Sequence, residues 1–157
     1  MIRKFGIAIT VIAVLAITTS LTLAGNPHFL KAHTSGTLQS DGDLVVSFKE
    51  AGLESGSTST ITVSATGTAD YECINGGGKN PTADNKDTVS SELSVSGEFT
   101  ADKNGNVRGS LTLNPPGPGG FSCPPGQQLS GPTNVSYTNV VITDEDTGAS
   151  LALGNFS

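Results

Sequence analysis

The chain has 157 residues with 8 basic and 14 acidic side chains, a formal net charge of −6, two cysteines and no tryptophan. This length is sufficient for one domain with its own hydrophobic core, and the acidic balance argues against nucleic acid or an anionic membrane as a partner. The lack of tryptophan argues against a sugar-binding platform of stacked aromatic side chains.

The N-terminus has the features of a secretory signal peptide. Arg3 and Lys4 precede an apolar run over residues 5–17, and Thr22-Leu23-Ala24 is a small-residue cleavage site. Cleavage after Ala24 leaves 157 − 24 = 133 residues with 6 basic and 14 acidic side chains, a net charge of −8. We therefore expect a signal peptide at 1–24 and a single secreted, extracellular domain at 25–157, with no membrane association after cleavage. The alternative is an uncleaved N-terminal anchor, although polar residues at 18–20 interrupt the apolar run.

After residue 25 the sequence alternates between apolar and polar positions, which is typical of half-buried antiparallel strands. The two longest patterns, at 60–73 and 88–101, are predicted to pair with each other. Shorter strands are predicted at 29–39 and 43–49 around a tight turn, at 107–113 as a partner of 88–101, and at 135–143 and 149–156. These strands predict an all-β fold, an antiparallel β-sandwich of immunoglobulin-like type, with a jelly roll or small barrel as the alternative.

Cys73 and Cys123 each adjoin an irregular loop. Cys73 ends the first long strand, and Cys123 follows a segment rich in proline and glycine at 114–122. If 107–113 pairs with 88–101, residue 113 lies roughly 20 Å from Cys73 at ~3.3 Å per residue. An extended 114–122 segment covers up to about 30 Å at ~3.1 Å per residue, so the two cysteines can meet. In an exported protein they are predicted to form a disulfide; two free thiols able to ligate a metal are the alternative.

The two runs around the cysteines also carry a resemblance. The sequences CINGGGKNP, at 73–81, and PPGPGGFSCP, at 115–124, resemble the loops of a group of small secreted β-rich proteins to which no activity is assigned. The resemblance covers roughly residues 60–140. It implies secretion and paired cysteines, and it implies no activity.

The loops tied by this disulfide form the predicted interaction surface, because loops held on a rigid scaffold are common binding sites. Lys79 and Asn80 lie in the first loop and Phe121 lies in the second. A large apolar side chain on an exposed loop is a natural anchor for a partner, and the alternative is that Phe121 folds under its loop into a small satellite core. The expected partner is an extracellular protein or a surface component, and exposed edge strands leave self-assembly open.

No set of residues is typical of a catalytic site, so no catalytic residue is assigned. The only histidines, His28 and His33, lie near the mature N-terminus, and no nucleophile-elbow motif is present. We expect both to be exposed polar positions in or beside the first strand.

No cofactor and no metal site are predicted, and calcium is the metal that the sequence comes nearest to binding. Asp102, Asn104 and Asn106 alternate like the first ligands of a calcium loop. Val107 and Leu113, however, replace the glycine and the bidentate glutamate that such a loop requires. Ordinary turn chemistry is the simpler interpretation.

The leading functional hypothesis is a non-catalytic binding or structural module, secreted or at the cell surface, that presents the disulfide-tied loops. One alternative is a secreted hydrolase that uses Asp70 and Glu72 on one strand with Glu92 and Glu98 on its neighbour, although a solvated outer face is the simpler interpretation. A second alternative is a protease-inhibitor-like module that presents residues 120–122 from the constrained loop.

Overall fold

The structure is a computed structural model that describes residues 25–78 and 85–157. They form two antiparallel sheets that are not closed into a barrel, so the predicted all-β sandwich is confirmed. The predicted signal peptide at 1–24 lies outside the described residues, as do Lys79 and Asn80 of the predicted interaction loop.

The described residues contain eight strands and one 3-10 turn at Lys31–His33. In the first sheet, called the short sheet, β3 is central, with β1 and β2 along one side and β6 along the other. In the second, called the long sheet, the order is β5-β4-β7-β8. The strands are β1 (His28–Phe29), β2 (Ser35–Leu38), β3 (Leu44–Ala51), β4 (Thr58–Ile74), β5 (Lys86–Thr100), β6 (Val107–Leu113), β7 (Gln128–Asp144) and β8 (Ser150–Phe156).

The predicted pairing of the two long strands is confirmed, and the predicted pairing of β6 with β5 is wrong. β4 and β5 pair from Thr58 with Thr100 to Glu72 with Lys86. β6 instead pairs with β3 in the other sheet, where Leu113 lies opposite Leu44. Alternation shows which face of a strand is buried but not which strand lies beside it. The turn after β5 therefore does not form the predicted hairpin, because it carries the chain from one sheet to the other.

The core lies between the inward rows of the two sheets. Edge-to-face contacts link Phe48 of β3 to Phe29, with ring centroids 6.0 Å apart, and to Phe99 of β5, at 5.0 Å. The fully buried aliphatic members are Leu44, Val46, Ile61, Val63, Val107, Val140 and Ile142. Because β3, β4 and β7 are central or have partners on both sides, their inward rows are better covered than that of β5.

Candidate functional site

Cys73 and Cys123 form the predicted disulfide, with an S–S distance of 2.09 Å and a Cα–Cα distance of 5.5 Å. Cys73 is fully buried at the end of the inward row of β4, and Cys123 is partly buried. The bond joins positions 50 residues apart in sequence. It therefore fixes the C-terminal end of residues 114–122, called the Pro/Gly segment, to the long sheet.

The Pro/Gly segment crosses from the short sheet to the long sheet rather than running back along one sheet, because it begins at the end of β6. At its start the Asn114 side-chain amide donates to Asp43 Oδ1 over 2.9 Å. In its middle the buried Tyr71 hydroxyl donates to the Pro116 carbonyl over 2.7 Å. With the disulfide at Cys123, the segment is held at three points along its length.

A groove of about 380 Å³ lies between the Pro/Gly segment and β5. Its walls combine aliphatic side chains and prolines with small hydroxyl side chains, a mixture that suits a partner with both apolar and polar groups. The lining residues are Ser91, Leu93, Ser94, Val95, Thr112, Leu113, Asn114, Pro115, Pro116 and Gly117.

Gly67 allows the two walls of this groove to meet on β4. A Cβ at this position would collide with Leu93 Cδ1 and would lie 3.2 Å from Pro116 Cδ. The register between β4 and β5 runs past Gly67 without a shift, so this mid-strand glycine does not mark a bulge against β5. It is the space into which Leu93 and Pro116 pack.

Phe121 of the predicted interaction loop is partly buried and packs against the main core cluster. Its backbone N–H donates to the Pro118 carbonyl over 3.0 Å, which closes a turn in the segment. Sequence reasoning missed Leu129 of β7, which lies opposite Cys73 and whose side chain is 45% exposed. Only its exposure in the fold distinguishes Leu129, because an isolated leucine gives no signal in the sequence.

The four carboxylates of the hydrolase alternative lie on the outer face of the long sheet, where three of them bind neighbouring side chains. Hydrogen bonds from Thr88 and Asn134 lower the pKa of Asp70. Glu92 Oε1 accepts from the Thr66 hydroxyl over 2.7 Å. These bonds make each carboxylate part of a cross-strand polar ladder.

The other two carboxylates complete this face. Glu72 forms an ion pair with Lys86 over 3.8 Å. Glu98 is exposed and lies opposite Thr60 in the register of β4 and β5. The four are spread along two strands, and the cleft that Asp70 and Glu72 line is lined by neither Glu92 nor Glu98.

A different pair of carboxyl groups, which sequence reasoning missed, is buried at the end of the sandwich that lies away from the disulfide. Glu50 of β3 and Asp144 of β7 are both fully buried. Asp144 Oδ1 accepts from the backbone N–H groups of Asp146, at 2.9 Å, and Thr147, at 3.2 Å. Among the described residues, no group donates to either Glu50 oxygen or to Asp144 Oδ2.

This pair requires one proton, because two ionised carboxylates side by side in the core repel each other and lose their hydration. Burial, followed by the charge of Asp144 and the hydrogen bond that a protonated Glu50 can donate to it, raises the pKa of Glu50 from 4.5 to about 8. A protonated Glu50 supplies the missing donor to Asp144. Because both residues are fully buried, one on each sheet, the pair joins the two sheets internally.

The residues that resemble a calcium loop are used by their own turn. Asp102 Oδ1 accepts from the backbone N–H of Asn104, at 2.7 Å, and of Asn106, at 3.0 Å. These bonds lower the pKa of Asp102, the bond from Asn106 contributing most. Within residues 25–78 and 85–157, no group of three or more histidine, cysteine or acidic side chains is arranged to hold a metal ion.

The remaining sequence predictions concern the histidines and the membrane. His28 and His33 are both exposed, and His28 Nδ1 lies 2.7 Å from the Asn26 carbonyl. A search of the described residues found no helix with the length and apolar character needed to span a membrane. No protein-family model, no curated protein and no solved structure matches the chain.

Proposed function

We propose that the protein is a non-catalytic binding module, secreted or held at the cell surface, whose binding surface is the groove between the Pro/Gly segment and β5. The observation that carries the proposal is the way this groove is built. One wall is irregular backbone held by the Cys73–Cys123 disulfide and the Tyr71 hydroxyl, and the other is a strand of the sandwich. Binding sites pre-formed on rigid elements lose little conformational entropy when a partner binds.

Further support comes from the residues around the groove. Phe121 of the segment is only partly buried, and Leu129 exposes an apolar side chain near the disulfide. Three of the four outer-face carboxylates are engaged in cross-strand bonds, which suits a binding face better than a hydrolytic site. The expected partner is an extracellular protein or a surface component.

The test is capture of partners from native medium and cell-surface extract by the immobilised mature chain. Ser91 is exposed and lines the groove, so Ser91→Arg should fill the groove and remove the specific partner. Ser47 is exposed on the outer face of β3 in the other sheet, so Ser47→Arg is the matched control and should retain the partner. Equal capture by both variants would refute the groove as the binding surface, and turnover of a substrate would refute a non-catalytic role.

A further inference from the structure

β5 has a long free edge. It pairs with β4 over fifteen residues without a register shift, and it is the terminal strand of its sheet. Within the described part of the chain, no backbone hydrogen bond outside the sheet ladder involves residues 87–99. Natural sheets commonly blunt such an edge with bulges, prolines or lysines, and between positions 87 and 100 β5 has none of these.

β8, at the opposite edge of the same sheet, has features that hinder the addition of another strand. β8 is seven residues long, and its pairing with β7 contains two register shifts around Asn139, a residue with φ of 55°. The Phe156 ring of β8 also packs against Gly36 of β2, which covers that side of the sandwich. The free edge of β5 is therefore a local property of this side of the molecule.

The inward row of β5 is incompletely covered. Val89, Leu93, Val95 and Phe99 are core-facing positions, yet each remains only partly buried. The groove lies directly beside this row and between the two sheets, because Leu113 of β6 and the Pro/Gly segment form its other side. An additional strand on β5 would direct every second side chain into this space.

The outer row of β5 determines the charge of a suitable partner. Glu92 and Glu98 are exposed on it, and the only basic residue of β5, Lys86, is paired with Glu72 at the start of the strand. A second copy paired about a two-fold axis at Val95 would set Glu92 of each copy opposite Glu98 of the other, so that register is unfavourable. A strand with basic outward side chains places opposite charges there instead.

We propose that β5 accepts an extended segment of a partner protein as an additional strand, with alternating apolar and basic side chains, the apolar ones filling the groove. This proposal rests on the proposed function and specifies its partner. Backbone hydrogen bonds to the free edge supply affinity, and the groove and the two glutamates supply selectivity.

The probe is a capped ten-residue peptide that alternates valine and lysine, compared with one that alternates valine and glutamate. Hydrogen exchange followed by mass spectrometry should show slowed exchange in β5, and not in β8, with the lysine peptide alone. The double variant Glu92→Gln/Glu98→Gln should bind this peptide about tenfold more weakly at low salt, and added salt should weaken wild-type binding. The matched control Glu54→Gln/Glu145→Gln removes the same net charge from exposed residues outside β5 and should bind like the wild type.

Protection of β8, no protection of β5, or equal binding of both peptides would overturn strand addition. Slowed exchange in β5 that depends on protein concentration without peptide would show that a second copy is the occupant, and would also overturn it. Failure of strand addition is distinguishable from failure of the groove: if Ser91→Arg still abolishes partner capture while the peptides do not bind, the groove remains the binding surface and only this mode of binding is wrong.

Discussion

The carboxyl groups of Glu50 and Asp144 meet in the core, each contributed by a different sheet and neither exposed to solvent. Asp144 is held by the turn that follows β7, through backbone N–H donors to its Oδ1. Glu50 is the last inward residue of β3 that pairs with β6. A single proton shared between them would thus link the central strand of the short sheet to the end of β7 in the long sheet.

The stability of the protein should depend on pH through Glu50. In the unfolded chain Glu50 loses its proton near pH 4.5, whereas in the folded protein it keeps the proton to about pH 8. The folded state therefore binds more protons in this interval. The stabilisation that the folded state gains from this proton is complete below about pH 4.5 and is lost as pH rises through about 8. Between these values the free energy of unfolding should fall by at most ~1.4 kcal/mol per pH unit. Urea unfolding at a series of pH values measures this slope.

The variant Glu50→Gln isolates the effect. Its amide donates to Asp144 without titrating, so the free energy of unfolding should vary much less between pH 4.5 and 8 than in the wild type. Glu54→Gln, at an exposed position four residues later, is the control and should keep the wild-type slope. If the free energy of unfolding of Glu50→Gln varied with pH as in the wild type, the shared proton would be contradicted. It would also be contradicted if calcium abolished this pH dependence in the wild type, because a cation would then take the place of the proton.

Removal of the disulfide should destabilise the protein strongly. Cys73 and Cys123 enclose a loop of about fifty residues, for which the chain-entropy model gives ~4 kcal/mol. Replacement of both by alanine should lower the free energy of unfolding by about this amount and should release the end of the Pro/Gly segment. Denaturant titration of the double variant checks the value, and a loss below ~1 kcal/mol would show that the other tethers suffice.

Tyr71→Phe should loosen the Pro/Gly segment while leaving the disulfide intact. The substitution removes the buried donor to the Pro116 carbonyl, and an unsatisfied buried polar group costs about 1–3 kcal/mol. Hydrogen exchange should increase in residues 114–122 more than in β7. Unchanged exchange in that segment would mean that Asn114 and Cys123 hold it without Tyr71.

Gly67→Ala should disturb the groove at the point on β4 where its two walls meet. The added methyl group would collide with Leu93 and crowd Pro116, so overpacking should cost about 1–3 kcal/mol and weaken partner capture. Gly76→Ala is the control, because nothing lies within 4 Å of a Cβ there, its backbone conformation suits alanine and it does not line the groove. Equal stability and binding in the two variants would show that the packing at Gly67 does not shape the groove.

The sequence alone predicted most of the strands, the pairing of β4 with β5 and the disulfide, because alternation and the setting of the cysteines are local signals. The strand predicted at 29–39 is wrong, since a 3-10 turn at Lys31–His33 divides it into β1 and β2, and β7 begins at Gln128 rather than at 135. It did not predict the partner of β6, which depends on packing between sheets. The disulfide prediction therefore succeeded although its assumed route was wrong: the Pro/Gly segment reaches Cys73 from the other sheet.

The buried carboxyl pair had one signal in the sequence. Leu44, Val46, Phe48 and Glu50 share one face of β3, so a glutamate continues an apolar row. Asp144 has the appearance of a turn residue, and its Oδ1 does bind the turn. Only the approach of the two sheets shows that the Asp144 carboxyl group lies beside Glu50. The groove likewise exists only where β5, β6 and the Pro/Gly segment come together.

Site-specific photo-crosslinking tests the binding groove most directly. A photoreactive residue at Ser91, inside the groove, should crosslink to a partner in native medium or at the cell surface, and one at Ser47, on the outer face of the short sheet, should not. Crosslinking at Ser91 alone, to an extended segment of the partner, is the predicted result. A partner captured from Ser47 but not from Ser91 would contradict the assignment of the groove as the binding surface.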